Sequence, residues 1–404
     1  CAPPSTRRAA ARPGTSERRD RAVDLSLTED EERFAAEVRD WLAANVEPAP
    51  DSTELAEQID WGRRWQRKLA EAGWVGINWP VEYGGRGASP LQMAIFNSEY
   101  ARSGAAQLVN RVGINLAGPT LLAHGTPAQC RRWLPKITTA EEIWCQLFSE
   151  PGAGSDLSGL STRADKVDDG WVVSGQKVWT SYAQFATYGI CLARSEPGST
   201  GARGLSLLVV PMESRGVDIR PLVQITGEAE FNEVFLDEVF VPDDHLVGRA
   251  GDGWTVASTT LAHERGTNFP FKEEVVHEGY LARLFAEAAA NGAMDDPEIA
   301  DGLVDAYVAL TVLRTHNWRT LSKLAKGGEP GPESSWVKLT WSDMTQHLSD
   351  TALAVSGGAA PLWGYWQRQW LWSKSASIAG GTSEVQRNII GERILGLPRE
   401  PKPR

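Results

Sequence analysis

Short segments rich in Val, Ile, Phe and Trp stand in the middle of this 404-residue chain, between two regions with helical periodicity. The segments are GWVVSGQKVWTS, YGICLARS, GLSLLVVPM, VDIRPL and FNEVFLDEVFVP, and Gly, Pro, Ser and Asp residues separate them. This pattern is typical of strands, and its spacing favours a compact antiparallel sheet or barrel. The succession of helices, strands and helices therefore predicts an α+β fold with two or three structural units.

Helical patterns flank the strands. Thr28 and Glu31 have capping-box spacing, and an apolar helical face follows them. Helical texture returns near Gly253, which predicts a C-terminal four-helix bundle. The Arg-, Pro- and Ala-rich first residues favour a disordered leader, or an upstream start that is not the natural one, over a targeting segment. The predicted division is a leader at 1–24, an all-α N-terminal domain at 25–142, an antiparallel β domain at 143–250 and the helical bundle at 251–404.

Composition argues against several classes of protein. Acidic residues outnumber basic ones, 52 to 41, which disfavours nucleic acid as the main partner. The four cysteines are scattered without a CxxC pair and no HExxH motif occurs, so neither a metal site nor a disulfide framework is expected. No apolar run in the sequence is long enough to span a bilayer. We therefore expect a soluble protein of a reducing compartment, the cytoplasm.

A glycine-rich loop opens the strand region. Residues 149–158, SEPGAGSDLS, are not a Rossmann fingerprint, because Leu157 occupies the place of the third glycine and strands follow. The glycines allow tight turns, and Ser149 and Ser155 add hydroxyl donors to the backbone N–H groups. Alone, this is often an ordinary loop. Together with KVWTS after the next strand and GGTSE near the C-terminus, it predicts a site for ring heteroatoms or phosphate oxygens.

These stretches together resemble the acyl-CoA dehydrogenase family of flavoproteins. SEPGAGSD, GQKVWTS and GGTSEVQRNII match family signatures in the same order, and GWVGINWPVEYGGRG in the N-terminal region matches as well. The resemblance covers roughly residues 25–398. It implies FAD bound between the β domain and a bundle that forms tetramers, an acyl-CoA substrate, and an electron-transfer flavoprotein as the electron acceptor.

The resemblance also implies which residues form the site. The flavin contacts would be Gln146, Phe148, Ser149, Gly154, Ser155, Trp179, Ser181, Gly357, Gly358, Thr382 and Glu384. Ser155, Arg265 and Gly381 would lie along the acyl-CoA. Gly357 and Gly358 would approach the FAD of a neighbouring subunit. For Trp179 a plain core position is the competing interpretation, because the chain contains 17 Trp residues.

The implied reaction needs a base for the proton beside the thioester carbonyl, while a hydride leaves the next carbon for the flavin. Many relatives carry this base just before the Gly-Thr of the C-terminal signature, where this chain has Gly380. Others carry it on a bundle helix directly before an arginine, and here Glu264 precedes Arg265. We predict Glu264 as the base, and an ordinary surface carboxylate is the alternative. The role requires an apolar pocket, where desolvation raises the pKa of a carboxyl toward neutrality.

One family pattern is missing. Many members carry Arg-x-x-Phe-Gly after this helix, and its arginine reaches the FAD of a neighbour, but residues 282–303 lack the pattern. A subunit of a mixed tetramer that is silent alone is therefore an alternative to a homotetrameric enzyme. An acyl-CoA oxidase and a flavin-dependent monooxygenase-like relative are further alternatives. Straight-chain, branched, aromatic and polycyclic acyl groups all stay open, as does a carrier-protein thioester.

Overall fold

The computed structural model describes residues 27–52, 54–264, 268–328 and 331–399, and for residues 264, 268–270 and 325 the backbone alone. Helices come first, then strands, then helices again, which confirms the predicted fold class. The helices are α1 (Glu29–Asn45), α2 (Leu55–Glu71), α3 (Pro90–Arg102), α4 (Gly118–His124), α5 (Pro127–Thr138), α6 (Gly253–Glu264), α7 (Asn268–Asn291), α8 (Pro297–Ala325), α9 (Ser334–Ser356), α10 (Tyr365–Ser373) and α11 (Ser383–Ile389). The strands are β1 (Trp144–Leu147), β2 (Arg163–Val167), β3 (Gly170–Ser181), β4 (Tyr188–Arg194), β5 (Leu205–Pro211), β6 (Val217–Leu222), β7 (Phe231–Pro242) and β8 (Leu246–Val247).

Helices α1, α3 and α5 begin at capping boxes. Thr28 and Glu31 form the predicted capping box of α1, in which each side chain bonds the backbone of the other. The second helix, α2, starts at Leu55 without such a signal. Its N-cap, Glu54, makes no side-chain capping bond, so the sequence carries no start signal there.

The sheet is built around the long antiparallel pair β3 and β7. Its strands run in the order β6-β7-β3-β2-β4-β5-β8, with β1 beside β4. Two pairings differ from a purely antiparallel sheet, because β1 and β2 each run parallel to β4. A parallel neighbour requires a crossover connection, and the loop after β1 together with the β2–β3 hairpin supplies it. This crossover places the glycine-rich loop at residues 148–161 against β3.

The C-terminal helices pack around an apolar core that includes Leu284, Leu313 and Met344. One face of α8 stays outside this core. Val304 and Val308 follow one another at helical spacing on that face and are 55% and 53% exposed, and Tyr307 beside them is 56% exposed. Exposed apolar stripes of this kind are common where protein chains associate. None of the helices in the described ranges combines the length and the apolar character needed to cross a membrane.

Candidate active site

The two β-domain motifs meet at a buried lysine. Lys177, from the GQKVWTS strand, has no exposed surface, and its Nζ donates to Phe148 O at 3.0 Å and to Leu192 O at 2.8 Å. The third acceptor is Glu150 Oε1 in the SEPGAGSD loop, at 2.9 Å. The backbone N–H of Val178 also donates to Ser149 O at 2.9 Å. The structure therefore brings these two sequence-predicted segments together on one side of the sheet.

Glu150 completes this buried pair. Its carboxylate accepts bonds from the N–H and the hydroxyl of Ser161, both at 2.7 Å, and from the N–H of Thr162 at 2.9 Å. Burial raises the pKa of Glu150, but the Lys177 ammonium and the bonds from Thr162 and Ser161 outweigh burial and lower it to about 2. The carboxylate is therefore ionised at neutral pH and holds both ends of the 150–161 loop. Our sequence reasoning did not identify Glu150 or Lys177 as site residues, although a lysine within an apolar strand was a usable signal.

Trp179 is presented outward from the sheet, and it is not a core residue. A register shift between Lys177 and Thr180 bends β3, and Trp179 adopts a left-handed backbone with φ of 60°. Its side chain is 61% exposed, and its ring meets Phe231 edge-on with 6.0 Å between centroids. Ser181, two residues further along, is half-buried opposite Phe231. A non-glycine residue in this conformation carries strain, and exposing an indole in this way suits the binding of a flat ring.

The remaining β-domain residues line the same loop. Gln146 is half-buried on β1 opposite Ile190, and Phe148 is buried. Gly154 and Ser155 are exposed, and a Cβ added to Gly154 would meet no atom within 4 Å. The backbone at Gly154 therefore borders open space, where a ligand could approach it closely.

The C-terminal corner has the shape that the sequence suggested. Gly380 and Gly381 both have positive φ, 65° and 92°, and Thr382 caps α11 by accepting the N–H of Val385 at 3.2 Å. Hydrogen bonds from its own backbone N–H and from the Thr382 hydroxyl lower the pKa of the exposed Glu384. This corner is bonded to α9 and α11.

Gly357 and Gly358 lie at the exposed end of α9. Gly357 has φ of 52° and ψ of −124°, a conformation for which glycine is suited, so the helix stops there. Both residues are exposed, and a Cβ added to either would meet no atom within 4 Å. This position is compatible with the expectation that they reach a neighbouring subunit.

Glu264 is the last residue of α6, and its side chain lies outside the described part of the chain, as does all of Arg265. The helix before it is well fixed. Thr260 is fully buried and its hydroxyl is 2.8 Å from that of Thr120, on α4.

A cavity of about 530 Å³ lies where the N-terminal helices, the β domain and the bundle meet. Trp61 of α2, Tyr280 of α7 and Trp366 of α10 contribute aromatic walls. On the side of the sheet, the cavity is bordered by Tyr182 and Glu230. Tyr182 directly follows β3, the strand that carries Trp179, and Glu230 directly precedes β7. Its volume lies in the range of small-molecule sites in proteins.

Buried polar residues also line the cavity. His277 Nδ1 donates to Glu273 O at 2.7 Å, and its Nε2 lies 2.9 Å from the hydroxyl of Thr345. Burial lowers the pKa of His277, which favours the neutral imidazole. At neutral pH this part of the cavity therefore presents no histidine charge to a ligand.

Comparison with known proteins identifies the class. The acyl-CoA dehydrogenase N-terminal, middle and C-terminal domain models match residues 28–141, 145–239 and 251–395. The chain therefore belongs to the acyl-CoA dehydrogenase family, as its motifs predicted. It is 43% identical over 388 residues to the acyl-CoA dehydrogenase IpdE1 of Mycobacterium tuberculosis, covering 93% of this chain and 100% of that protein.

Solved structures with related folds include acyl-CoA dehydrogenases. The Tcur3481–Tcur3483 steroid ACAD superposes with a TM-score of 0.81 at 26% identity, covering 94% of this chain and 100% of that one. The ChsE4–ChsE5 complex from Mycobacterium tuberculosis gives 0.80 at 30% identity, with the same coverage. Both names describe assemblies of two different chains. The predicted FAD-dependent oxidoreductase activity on acyl-CoA is thus confirmed at the level of the family.

The residues present fit the FAD that this family uses. The outward-facing indole of Trp179 and the open backbone at Gly154 are the observations that support this fit. Trp179 and Ser181 would hold the flat ring, while the 148–155 loop would offer N–H and hydroxyl donors to its edge. When bound, FAD supplies a hydride acceptor. The polypeptide must bind the thioester, orient it and remove the proton.

Proposed function

We propose that this chain oxidises an acyl-CoA to the trans-2-enoyl-CoA with Glu264 as the base, and that an electron-transfer flavoprotein takes the electrons. The assembly of the SEPGAGSD loop, Trp179 and Ser181 into one flavin-type platform supports the proposal most strongly. Gly380, half-exposed in the C-terminal signature, carries no side chain that could move a proton. The carboxylate therefore has to come from another element.

Glu264 is the residue we assign to this role. It ends a helix that is tied to the N-terminal domain one turn earlier, through the hydroxyls of Thr260 and Thr120. The carboxylate would take the proton from the carbon beside the thioester carbonyl. Arg265 would hold the CoA side of the substrate, and Ser155 and Gly381 would line its path.

The acyl group is proposed to be bulky and polycyclic. One structural relative is named a steroid ACAD, and the cavity of about 530 Å³ has aromatic walls. Flat aromatic side chains pack well against fused rings, whereas a straight chain would leave such a space partly empty. Trp61, Tyr280 and Trp366 would contact the distal rings.

We also propose that the active assembly contains more than one chain, as a homo- or hetero-tetramer. The exposed stripe of Val304, Tyr307 and Val308 on α8 offers an apolar surface for a second subunit. Two features favour a mixed assembly in which this chain needs a partner of the same family. Residues 282–303 lack the Arg-x-x-Phe-Gly pattern whose arginine completes a neighbour's FAD site in many relatives, and two neighbours are named as pairs of chains. The cytoplasm is the compartment we propose for it.

Anaerobic flavin bleaching tests the function. The purified chain, alone and together with any family partner with which it co-purifies, would be mixed with octanoyl-CoA, isovaleryl-CoA and a steroid-derived acyl-CoA. We expect the steroid-derived thioester to bleach the flavin fastest. A reaction that proceeds with oxygen but not with an electron-transfer flavoprotein would favour an oxidase, and bleaching by none of the thioesters would contradict dehydrogenation.

A further inference from the structure

Arg111 is a cation of the cavity lining that forms no salt bridge with any of the described residues. Its Nη1 donates to the amide oxygen of Gln107, another lining residue, at 2.6 Å. A guanidinium carries five N–H donors, so several of them stay available to a molecule bound in the cavity. Arg111 is half-buried, and a hydrogen bond to such a molecule would be partly shielded from water.

The other charged side chains of the lining are bonded within the protein. Arg368 of α10 pairs with Glu228, with 2.6 Å between Nη2 and Oε1. Glu230 Oε2 accepts a hydrogen bond from the Tyr182 hydroxyl at 3.0 Å. Glu273 Oε2 accepts an indole N–H at 3.1 Å. Within the described part of this lining, a bound molecule therefore finds its strongest available donor at position 111.

The backbone that carries Arg111 is fixed by the residue before it. Asn110 has no exposed surface, and its Nδ2 donates to Ile137 O at 3.1 Å and to Glu142 O at 2.8 Å. Its Oδ1 accepts the N–H of Trp144 at 2.9 Å. The side chain at position 111 therefore starts from a constant place at the junction of the N-terminal and β domains, as a residue that selects a ligand must.

The guanidinium contacts the residue that follows the strand of Trp179. Its central carbon lies 5.8 Å from the ring centroid of Tyr182. Tyr182 has a left-handed backbone with φ of 53°, and its N–H donates to Glu230 O at 2.8 Å. Since Arg111, Tyr182 and Glu230 all line the cavity, the donors of Arg111 lie at the side where the cavity meets the sheet.

The charges near Arg111 select the kind of oxygen that fits. Burial lowers the pKa of Lys272 on α7; Glu273 opposes this shift and the charge of Arg111 adds to it, so the two cations are near each other. Arg111 and Lys272 are balanced by Glu230 and Glu273, which are two cations and two carboxylates. A carboxylate on a ligand would meet the two carboxylates already present. A ketone oxygen is neutral and accepts hydrogen bonds, which matches a side chain that donates alone.

We propose that Arg111 is a specificity-determining residue: it donates hydrogen bonds to a ketone oxygen on the ring system that the cavity receives. The inference rests on the proposed function and adds a chemical feature to its substrate. The aromatic walls hold the rings, and Arg111 determines which edge of the ring system faces the sheet. Rings without the ketone cover the guanidinium and leave its donors unsatisfied, which weakens binding.

Three thioesters test this inference: decalinylpropanoyl-CoA, the same compound with a ketone on the far ring, and the same compound with a carboxylate at that carbon. Anaerobic stopped-flow bleaching would give the dissociation constant and the limiting rate of flavin reduction for each. The holoenzyme would be used with any family partner that co-purifies with it. Arg111→Met removes the donors, Arg111→Lys keeps a charged donor, and Arg67→Gln, at an exposed position on α2, is the control.

We expect the wild type to bind the ketone about 10- to 100-fold more tightly than the other two thioesters, with similar limiting rates. Arg111→Met should lose this preference and keep FAD, Arg111→Lys should retain part of it, and Arg67→Gln should match the wild type. Equal binding of all three thioesters, tighter binding of the carboxylate, or a preference that survives in Arg111→Met would refute the role of Arg111 and leave dehydrogenation intact. Bleaching by none of the three would instead overturn the proposed function, and this inference with it.

Discussion

Lys177→Met should uncouple the glycine-rich loop from the strand that carries Trp179. The substitution keeps most of the volume of the side chain but leaves Glu150, which is 6% exposed, without its cation. Removing one partner of a buried ion pair costs about 3–5 kcal/mol. The buried ion pair therefore predicts a loss of about 3 kcal/mol in the free energy of unfolding.

Urea unfolding of the apoprotein and FAD titration would measure this effect. We expect a weaker FAD affinity, by about tenfold or more, because the 148–155 loop loses its anchor. Lys166→Met is the matched control: Lys166 pairs with Asp243 on the surface, where such pairs contribute about 0–1 kcal/mol. The double variant Glu150→Gln/Lys177→Met should recover part of the stability. A loss below about 1 kcal/mol for Lys177→Met, with unchanged FAD affinity, would refute this account of the loop.

Three further predictions concern Glu150, Trp179 and Gly380. Because the pKa of Glu150 is lower in the folded state than in the unfolded state, its contribution to stability is complete above about pH 4.5 and disappears as the pH falls toward 2; acid titration of Glu150→Gln should lack this component. Trp179→Ala should weaken FAD binding but leave the melting temperature within a few degrees, since the side chain is 61% exposed. Gly380→Glu, at φ of 65°, should cost about 1 kcal/mol of stability, and in a Glu264→Gln background it should restore part of the flavin bleaching.

Local signals in the sequence predicted most of the fold. The capping box at Thr28, the β-branched strands and the paired glycines at Gly380 are all encoded within a few residues, and each appears in the structure as the pattern indicates. The start of α2 at Leu55 was not predictable in this way, because no capping side chain marks it. Likewise, the parallel pairing of β1 with β4 depends on a crossover and not on any residue of β1.

The sequence did not predict the buried polar residues that hold the site segments together, because their hydrogen-bond partners are known only from the fold. Glu150 and Lys177 are 27 positions apart, and although a lysine within an apolar strand is a signal, nothing in the sequence pairs it with Glu150. Only the folded sheet shows that both are buried and bonded to each other. Gln386 reads as an ordinary helical residue until the carbonyls of Gly380 and Gly381 are seen to converge on its amide. Long-range pairing of polar groups is therefore the part that single-sequence reasoning missed.

Stopped-flow flavin reduction in a Glu264→Gln holoenzyme tests the central claim most directly, with Glu213→Gln, an exposed carboxylate of the β domain, as the control. The amide keeps the shape of the side chain but cannot accept the α-proton, so flavin binding should persist while reduction at 450 nm slows by about a thousandfold or more. Glu213→Gln should reduce at the wild-type rate. Reduction of Glu264→Gln at the wild-type rate would remove this residue from the chemistry and would require another base.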